Sequence, residues 1–263
     1  MTTSLNILDC LNDTLTIVAE NLCALDRMAL AFAFPTTRPY LKIKPEDLGD
    51  IVKARLNDYK FSDALNCFVN TGEIVVSGSF ILQCLLDVSW NTDIDMYSMS
   101  DLTKDKLGEV FTQKSRDVRE YSSLMPGLHT KRVTHVYVPG SSIVIDINTI
   151  DSKIHTSIGD FLTTCCDMDI LMNYYEGNVV FIKNIVPLLN RKVTVLFSEK
   201  TLNQMLKTRL CSNIIEGRAN RIGKYVMRGF TVACDRTTLT LLERKKQEEI
   251  IKTGKVFQRC YNL

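Results

Sequence analysis

Three hydrophobic patterns follow one another along the chain. Between residues 7 and 50 apolar positions recur at helical spacing. Leu15, Val18, Leu22 and Leu25 line one face, and Asp13 or Thr14 suits the cap that opens it. A second apolar stretch, Met28 to Phe34, ends at Pro35, and Pro35 and Pro45 bracket an irregular segment. Between 72 and 150 the period shortens. Ile74-Val75-Val76 is a β-branched run that reaches Ser77-Gly78-Ser79, Phe80 to Val88 reads as a helix, and Asp93-Ile94-Asp95-Met96-Tyr97 alternates as a strand does. Thr103 to Phe111 predicts a helix, with a loop around Pro126-Gly127 after it. Val133 to Val138 and Ser142 to Ile147 read as two strands around Pro139-Gly140, a pair that suits a tight turn. The remainder reads as mostly helical. One helix is capped by Ser198 and carries Leu202, Met205, Leu206 and Leu210. A second covers Asn213 to Met227, and a third runs from Thr238 to Lys252 and stops at Gly254.

These elements predict an α+β fold: a mixed sheet with helices, a helical N-terminal unit and a mostly helical C-terminal region. The expected division is 1–50, 51–155 and 156–263. With 263 residues, 45% hydrophobic and 24% charged, the chain falls among globular proteins and outside the disordered and collagen-like classes. Nine cysteines, an odd number without a CxxC, predict buried free thiols in a reducing compartment. His129, His135 and His155 are not at ligand spacing, and only Cys165-Cys166 are near each other, so no structural zinc site is expected. The N-terminus lacks the pattern of a signal peptide, and no apolar run approaches the roughly 20 residues that span a bilayer. The expectation is an intracellular chain with no membrane partner.

Charge divides the sequence. From Lys183 onward there are 17 Lys+Arg and 6 Asp+Glu, leaving 15 and 24 for residues 1–182. A basic half facing a polyanion and a basic solvated surface both fit that split. Within it Arg218, Arg221, Lys224 and Arg228 lie along one side of the expected helix. That side reads either as a track for a nucleic-acid backbone or a triphosphate, or as a solvated face. Tyr174-Tyr175 either stack a base or straddle a core.

The residues that carry chemistry lie in the middle section. Asp93 and Asp95, two apart on a strand, project from one face, and two such anions repel unless a cation sits between them. Hard carboxylate oxygens suit Mg²⁺ or Mn²⁺, which bind one or two carboxylates together with substrate phosphates. Asp146 lies in the apolar run Ile143-Val144-Ile145-Asp146-Ile147, where a charge needs a partner, and a metal shared with Asp93 and Asp95 supplies one. Upstream, Gly78-Ser79 joins a strand to a helix. Glycine lets the backbone approach a phosphate, the helix N-terminus offers N–H groups, and Ser79 adds a hydroxyl. Thirteen residues separate Ser79 from Asp93, enough for one helix and a return turn. Together these are the parts needed for attack on the α-phosphate of a nucleoside triphosphate.

Gly78-Ser79, Asp93-Ile94-Asp95 and a later Asp146 on an apolar strand resemble the motif of the DNA polymerase beta-like nucleotidyltransferase superfamily. Its members include poly(A) polymerases, CCA-adding enzymes and oligoadenylate synthases. The resemblance covers Ile74 to Asp146. It implies Gly78 and Ser79 on the triphosphate, Asp93, Asp95 and Asp146 on Mg²⁺ or Mn²⁺, and an NTP as substrate. An RNA 3′ end, a protein hydroxyl and a small molecule all fit as acceptor. The runs 77–97, 167–177 and 221–230 resemble uncharacterised proteins of nucleocytoplasmic large DNA viruses, which implies host cytoplasm or virion. Leu11-Asn12-Asp13-Thr14-Leu15, with Ile17-Val18, Leu22, Leu25-Asp26 and Met28-Ala29-Leu30, resembles the opening of an F-box without its usual Leu-Pro start. That resemblance implies a ubiquitin-ligase adaptor as partner, beside the plainer reading of a helical cap. Two non-enzymatic readings accompany the catalytic one: an inactive descendant serving as a viral structural or interaction protein, and an F-box-like adaptor.

Overall fold

Burial alternates residue by residue along the central strands. Ile94, Met96 and Ser98 are buried while Asp95 and Tyr97 are half-buried, and Ile145, Ile147 and Thr149 are buried beside the half-buried Val144, Asp146 and Asn148. A period of two means one sheet face is sealed and the other carries the polar side chains. The structure, a computed structural model, describes residues 7–37, 45–58, 68–100, 118–119, 130–137, 143–196 and 220–233. The chain divides into two compact units, residues 1–166 with 171–183, and residues 167–170 with 184–263.

The first unit opens with helices α1 (Ile7–Glu20), α2 (Ala24–Ala33) and α3 (Pro45–Asp58). The strands are β1 (Val75–Ser77), β2 (Ile94–Ser98), β3 (Val118–Arg119), β4 (Thr130–Tyr137), β5 (Val144–Ile150), β6 (Tyr174–Glu176) and β7 (Val179–Phe181). Helix α4 (Ser79–Leu86) follows β1, and α5 (Ile158–Cys165) follows β5. The strands form one mixed sheet in the order β3-β4-β5-β2-β1-β6-β7. All neighbours are antiparallel except β2 and β5. The α+β class and mixed sheet agree with the sequence.

Helix α4 is the centre of the core. All eight of its residues are buried, and it packs on β1 and β2 as well as on α2 and α3. At about 1.5–3 kcal/mol for each large apolar side chain removed from water, Phe80, Ile81, Leu82, Leu85 and Leu86 make this the main anchor of the sheet. Gly49 in α3 meets the turn between β6 and β7 so closely that an added Cβ would lie 2.2 Å from the Asn178 carbonyl oxygen. On the other face of the sheet, α5 brings Ile158, Phe161 and Leu162 against Val75 and Ile150, with Tyr97 and Tyr174 at the margin. Ser157 caps α5, its Oγ accepting from the Asp160 N–H.

In the second unit β8 (Lys192–Thr194) runs parallel to β9 (Thr231–Ala233), with α6 (Ile185–Leu189) before them and helix α7 (220–227) between. Ile222, Tyr225 and Phe230 are buried, and Tyr225 meets Phe230 edge to face.

Several expectations change. Asp13 and Thr14 do not cap a helix, because α1 begins at Ile7 and carries them in its interior. A capping preference acts only at the residue where a helix begins, and α1 begins more than a turn earlier. Leu22 lies in a break at 21–23, and Leu25 belongs to α2, which Cys23 caps through Sγ. Strands β6 to β9, three residues each, lie in the stretch expected to be mostly helical, between and before its expected helices. Runs that short carry no periodicity to read. The expected helices at Thr103–Phe111 and Thr238–Lys252, the one capped by Ser198, and the Pro139-Gly140 turn lie outside the described residues. Among the described residues no helix is long and apolar enough to cross a membrane.

Cys23, Cys84, Cys165 and Cys166 are free thiols, and Cys84 is sealed inside α4. Burial pushes the Cys84 thiol from its usual 9.0 up to about 12, with Arg55 opposing the shift. The folded chain therefore holds this proton more tightly than the unfolded chain. Between about pH 9 and 12 the unfolded state binds fewer protons, so stability falls as pH rises through that window, by at most about 1.4 kcal/mol per pH unit. Chemical denaturation across pH 8–12 should show a shallower decline for Cys84→Val than for the wild type. Parallel declines would mean that Cys84 contributes nothing to the slope.

Candidate functional site

One row of residues crosses the polar face of the sheet. Ser77 pairs with Asp95 across β1–β2, Asp95 with Asp146 across β2–β5, and Asp146 with His135 across β5–β4. On the far side of β1, Ser77 pairs with Tyr174, which pairs with Phe181. Residues in register on neighbouring strands share a face about 4.8 Å apart. Asp95 and Asp146, fifty-one positions apart in sequence, are thus side by side. The Asn148 amide fastens their strands together, donating to the carbonyls of Met96 at 3.3 Å and Asp146 at 3.2 Å.

The loop from β1 to α4 passes directly against Asp95. Gly78 has φ 74° and ψ −149°, a conformation that costs a side-chain-bearing residue about 1–3 kcal/mol. An added Cβ there would lie 2.5 Å from Oδ2 of Asp95. The backbone conformation calls for glycine, and a Cβ would in addition displace the carboxylate above it. Gly78 is also the N-cap of α4, so Asp95 sits at the positive end of the helix.

Ser79 is 5% exposed, and its Oγ lies 2.7 Å from the hydroxyl of Thr92. This bond closes the loop between α4 and β2, which a 2.5 Å contact from the Trp90 N–H to Oε1 of Gln83 also braces. Asp93 precedes β2 by one residue and is exposed rather than standing on the strand. Among the described residues no three His, Cys, Asp or Glu side chains are grouped so as to hold a metal ion by themselves. The row supplies two adjacent carboxylates, Asp95 and Asp146, with Asp93 at the approach to β2.

His135 is the residue that sequence reasoning left out. Its Nδ1 lies 2.5 Å from Oδ1 of Asp146, with both side chains about one-quarter exposed. A partner for Asp146 was expected in the form of a metal, and an imidazole stands there. The signal lay in the alternation of Val133 to Val138, which places His135 on the face opposite Thr134 and Val136. Ser77, one residue before the Gly-Ser pair, is fully buried. Its Oγ shares a proton between the carbonyls of Asn173 at 2.8 Å and Leu171 at 3.1 Å. Tyr174 stacks on Phe181 with ring centroids 4.6 Å apart, while Tyr175 is buried and donates to Asn178. The two tyrosines straddle the sheet, and burial raises the pKa of both.

The basic residues belong to the second unit. Arg218 lies outside the described residues. Nη1 of Arg221 donates to both carboxylate oxygens of Asp167, at 2.9 and 2.8 Å, and so neutralises an acid that is nearly sealed from water. Arg228 lies over the Tyr225 ring at 5.4 Å, and its pKa is lowered by desolvation. Lys224 is exposed. Arg221 and Arg228 thus have structural work within their own unit.

No protein-family model matches the chain, and no curated protein matches it. Among solved structures it is similar to a CCA-adding enzyme in complex with CTP, with 17% identity and a TM-score of 0.43 over 77% of this chain and 46% of that one. It is also similar to the Thermotoga maritima CCA-adding enzyme complexed with tRNA, with 17% identity and a TM-score of 0.42 over 72% and 43%. A CCA-adding enzyme complex with ATP gives 17% identity and 0.41 over 72% and 44%. The chain spans less than half the length of these structures, and at such values the likeness is to a fold and not to an activity.

The contact between Gly78 and Asp95 makes a double-mutant prediction. Gly78→Ala should lower stability through both backbone strain and collision with Oδ2. In an Asp95→Ala background only the strain remains. Urea denaturation should therefore find the Gly78→Ala penalty smaller in Asp95→Ala than in the wild type. Equal penalties would show that the carboxylate does not press on this glycine.

Proposed function

We propose that the chain is a metal-dependent, template-independent nucleotidyltransferase that moves a nucleoside monophosphate from an NTP to an acceptor hydroxyl. The observation that carries this reading is the register of Asp95 with Asp146 at the N-terminal end of α4. Two carboxylates and a helix N-terminus lie together at a glycine that admits close approach. The donor set fits Mg²⁺ or Mn²⁺: hard oxygens from two side chains, with substrate phosphates and water completing the shell. Asp95 and Asp146 would hold the cation, and Asp93 is proposed as the third acid. When bound, the ion supplies charge neutralisation on the phosphates and polarises the attacking oxygen.

The remaining chemistry falls to the chain. The backbone at Gly78 and Ser79 takes the β- and γ-phosphates, and the Ser79 hydroxyl, a donor with two acceptor positions, serves them while keeping the α4–β2 loop closed. The acceptor oxygen forms its bond to the α-phosphorus. The bond from that phosphorus to the oxygen bridging the β-phosphate breaks, pyrophosphate leaves with the electron pair, and the acceptor proton passes to a base, the role proposed for Asp146. An RNA 3′ end, a protein hydroxyl and a small molecule are the acceptor classes. For RNA, Arg218, Arg221, Lys224 and Arg228 are the proposed backbone contacts, and binding would weaken steeply with salt.

Incubation with labelled NTPs, Mg²⁺ or Mn²⁺ and a mixed RNA pool should place label on RNA or on protein. Asp95→Asn and Asp93→Asn keep shape while removing charge. Each should lower transfer by on the order of 10²–10³-fold, and the double variant should cost little more, because the acids act as a unit. In the same preparations, NTP with Mg²⁺ at about 100 times the dissociation constant should stabilise the wild type by about 2.7 kcal/mol and leave Asp95→Asn unmoved. Equal melting shifts for the two proteins would remove the catalytic reading.

A further inference from the structure

Asp146 has a side-chain partner that stands outside the acidic motif. His135 faces it across the β4–β5 ladder, and Nδ1 to Oδ1 is 2.5 Å. A carboxylate only accepts, so Nδ1 carries the proton and donates it. The bond engages Oδ1, and Oδ2 takes no part in it. Both residues stand on well-paired strands, His135 in the eight-residue β4 and Asp146 in the seven-residue β5. Their backbones are held in register from Tyr137–Val144 to Val133–Asn148. The Asn148 amide meanwhile holds the Asp146 carbonyl. What is left to fix is the rotation of one carboxylate, and His135 is the group that fixes it.

We propose that His135 is a positioning residue for the Asp95–Asp146 site. Its Nδ1–H clamps Oδ1 so that Asp146 offers Oδ2 to a divalent cation shared with Asp95. The proposal rests on the reading of Asp95 and Asp146 as a cation site. Left alone, neighbouring carboxylates turn apart to reduce their repulsion and then pay to turn back when a cation arrives. A donor on the outer oxygen of Asp146 removes that freedom beforehand. Groups of this kind, which touch the ligand rather than the metal, typically change metal affinity 10- to 100-fold when removed. The role needs a donor at the place of Nδ1 and nothing else of the imidazole. Asparagine carries its amide nitrogen at that branch of the side chain, and glutamine carries it one carbon farther out.

Direct titration of the full chain with Mn²⁺, read by electron paramagnetic resonance of the free ion and without turnover, tests the assignment. The wild type should bind Mn²⁺ and Asp95→Asn should not. His135→Ala should bind 10- to 100-fold more weakly, and His135→Asn should return toward wild type while His135→Gln does not. If His135→Ala unfolds, judged by circular dichroism, the contrast between His135→Asn and His135→Gln decides alone. Undiminished binding by His135→Ala, or His135→Asn as weak as His135→Gln, would overturn the positioning role and leave the cation site standing. A wild type that binds no Mn²⁺, or an Asp95→Asn protein that binds it equally, overturns the cation site and the positioning role with it.

Discussion

The parallel pairing of β2 with β5 is the constraint on which the site depends. It is the one parallel junction in the seven-stranded sheet, and it sets Asp95 level with Asp146. A slip of one residue would send Asp146 into the sealed face beside Ile94 or Met96 and bring an isoleucine beside Asp95. The sealed face prevents such a slip. Ile94, Met96, Ile145 and Ile147 are each at most 1% exposed, and moving any one of them to the polar face would forfeit about 1.5–3 kcal/mol of burial. The hydrophobic core therefore does more than stabilise the unit. It holds two like charges next to each other, an arrangement that electrostatics alone would disfavour.

Around that pair the polar face is finished differently at its two ends. Toward Tyr97 and Ile150 it is closed by α5, whose Phe161 and Leu162 are buried against the sheet. Toward Asp95, Asp146 and His135 it carries half-buried polar groups, bounded by the buried Ser77 and the start of α4. The Ser77 hydroxyl donates to the carbonyls of Leu171 and Asn173, and the Ser79 hydroxyl is hydrogen-bonded to that of Thr92. Both bonds fix backbone on either side of Gly78, the residue whose bare Cα leaves room for Asp95. These neighbours hold the backbone against which the two carboxylates lie.

How much of this was legible followed from the range over which each signal acts. The turn from Val75 to Ser79, the buried helix after it and the alternating strand through Asp95 are local patterns, and each was readable. Asp146 was readable as an acid inside an apolar strand, but its neighbour was not. A tight turn at Pro139-Gly140 would place Asp146 opposite Val133. The observed register places it opposite His135, with six residues between the last partners Tyr137 and Val144. A shift of two keeps the face and changes the partner, so the side of the sheet was legible and the imidazole was not. The three-residue strands β6 to β9 and the Asp167–Arg221 pair depend on contacts between distant segments, to which no local period corresponds. The same holds for Arg221 and Arg228. Their spacing suggested a charged stripe, whereas burial of Asp167 and Tyr225 gave each a partner in its own unit.

The central claim is that Asp95 and Asp146 jointly hold one divalent cation against the phosphates of an NTP. It is tested most directly by anomalous diffraction at the manganese edge, from crystals grown with Mn²⁺ and a non-hydrolysable NTP analogue. The account predicts a manganese peak at bonding distance, about 2 Å, from a carboxylate oxygen of each residue, with the triphosphate lying along Gly78 and Ser79. A triphosphate bound elsewhere, or manganese absent from these two carboxylates while the analogue is present, would contradict it.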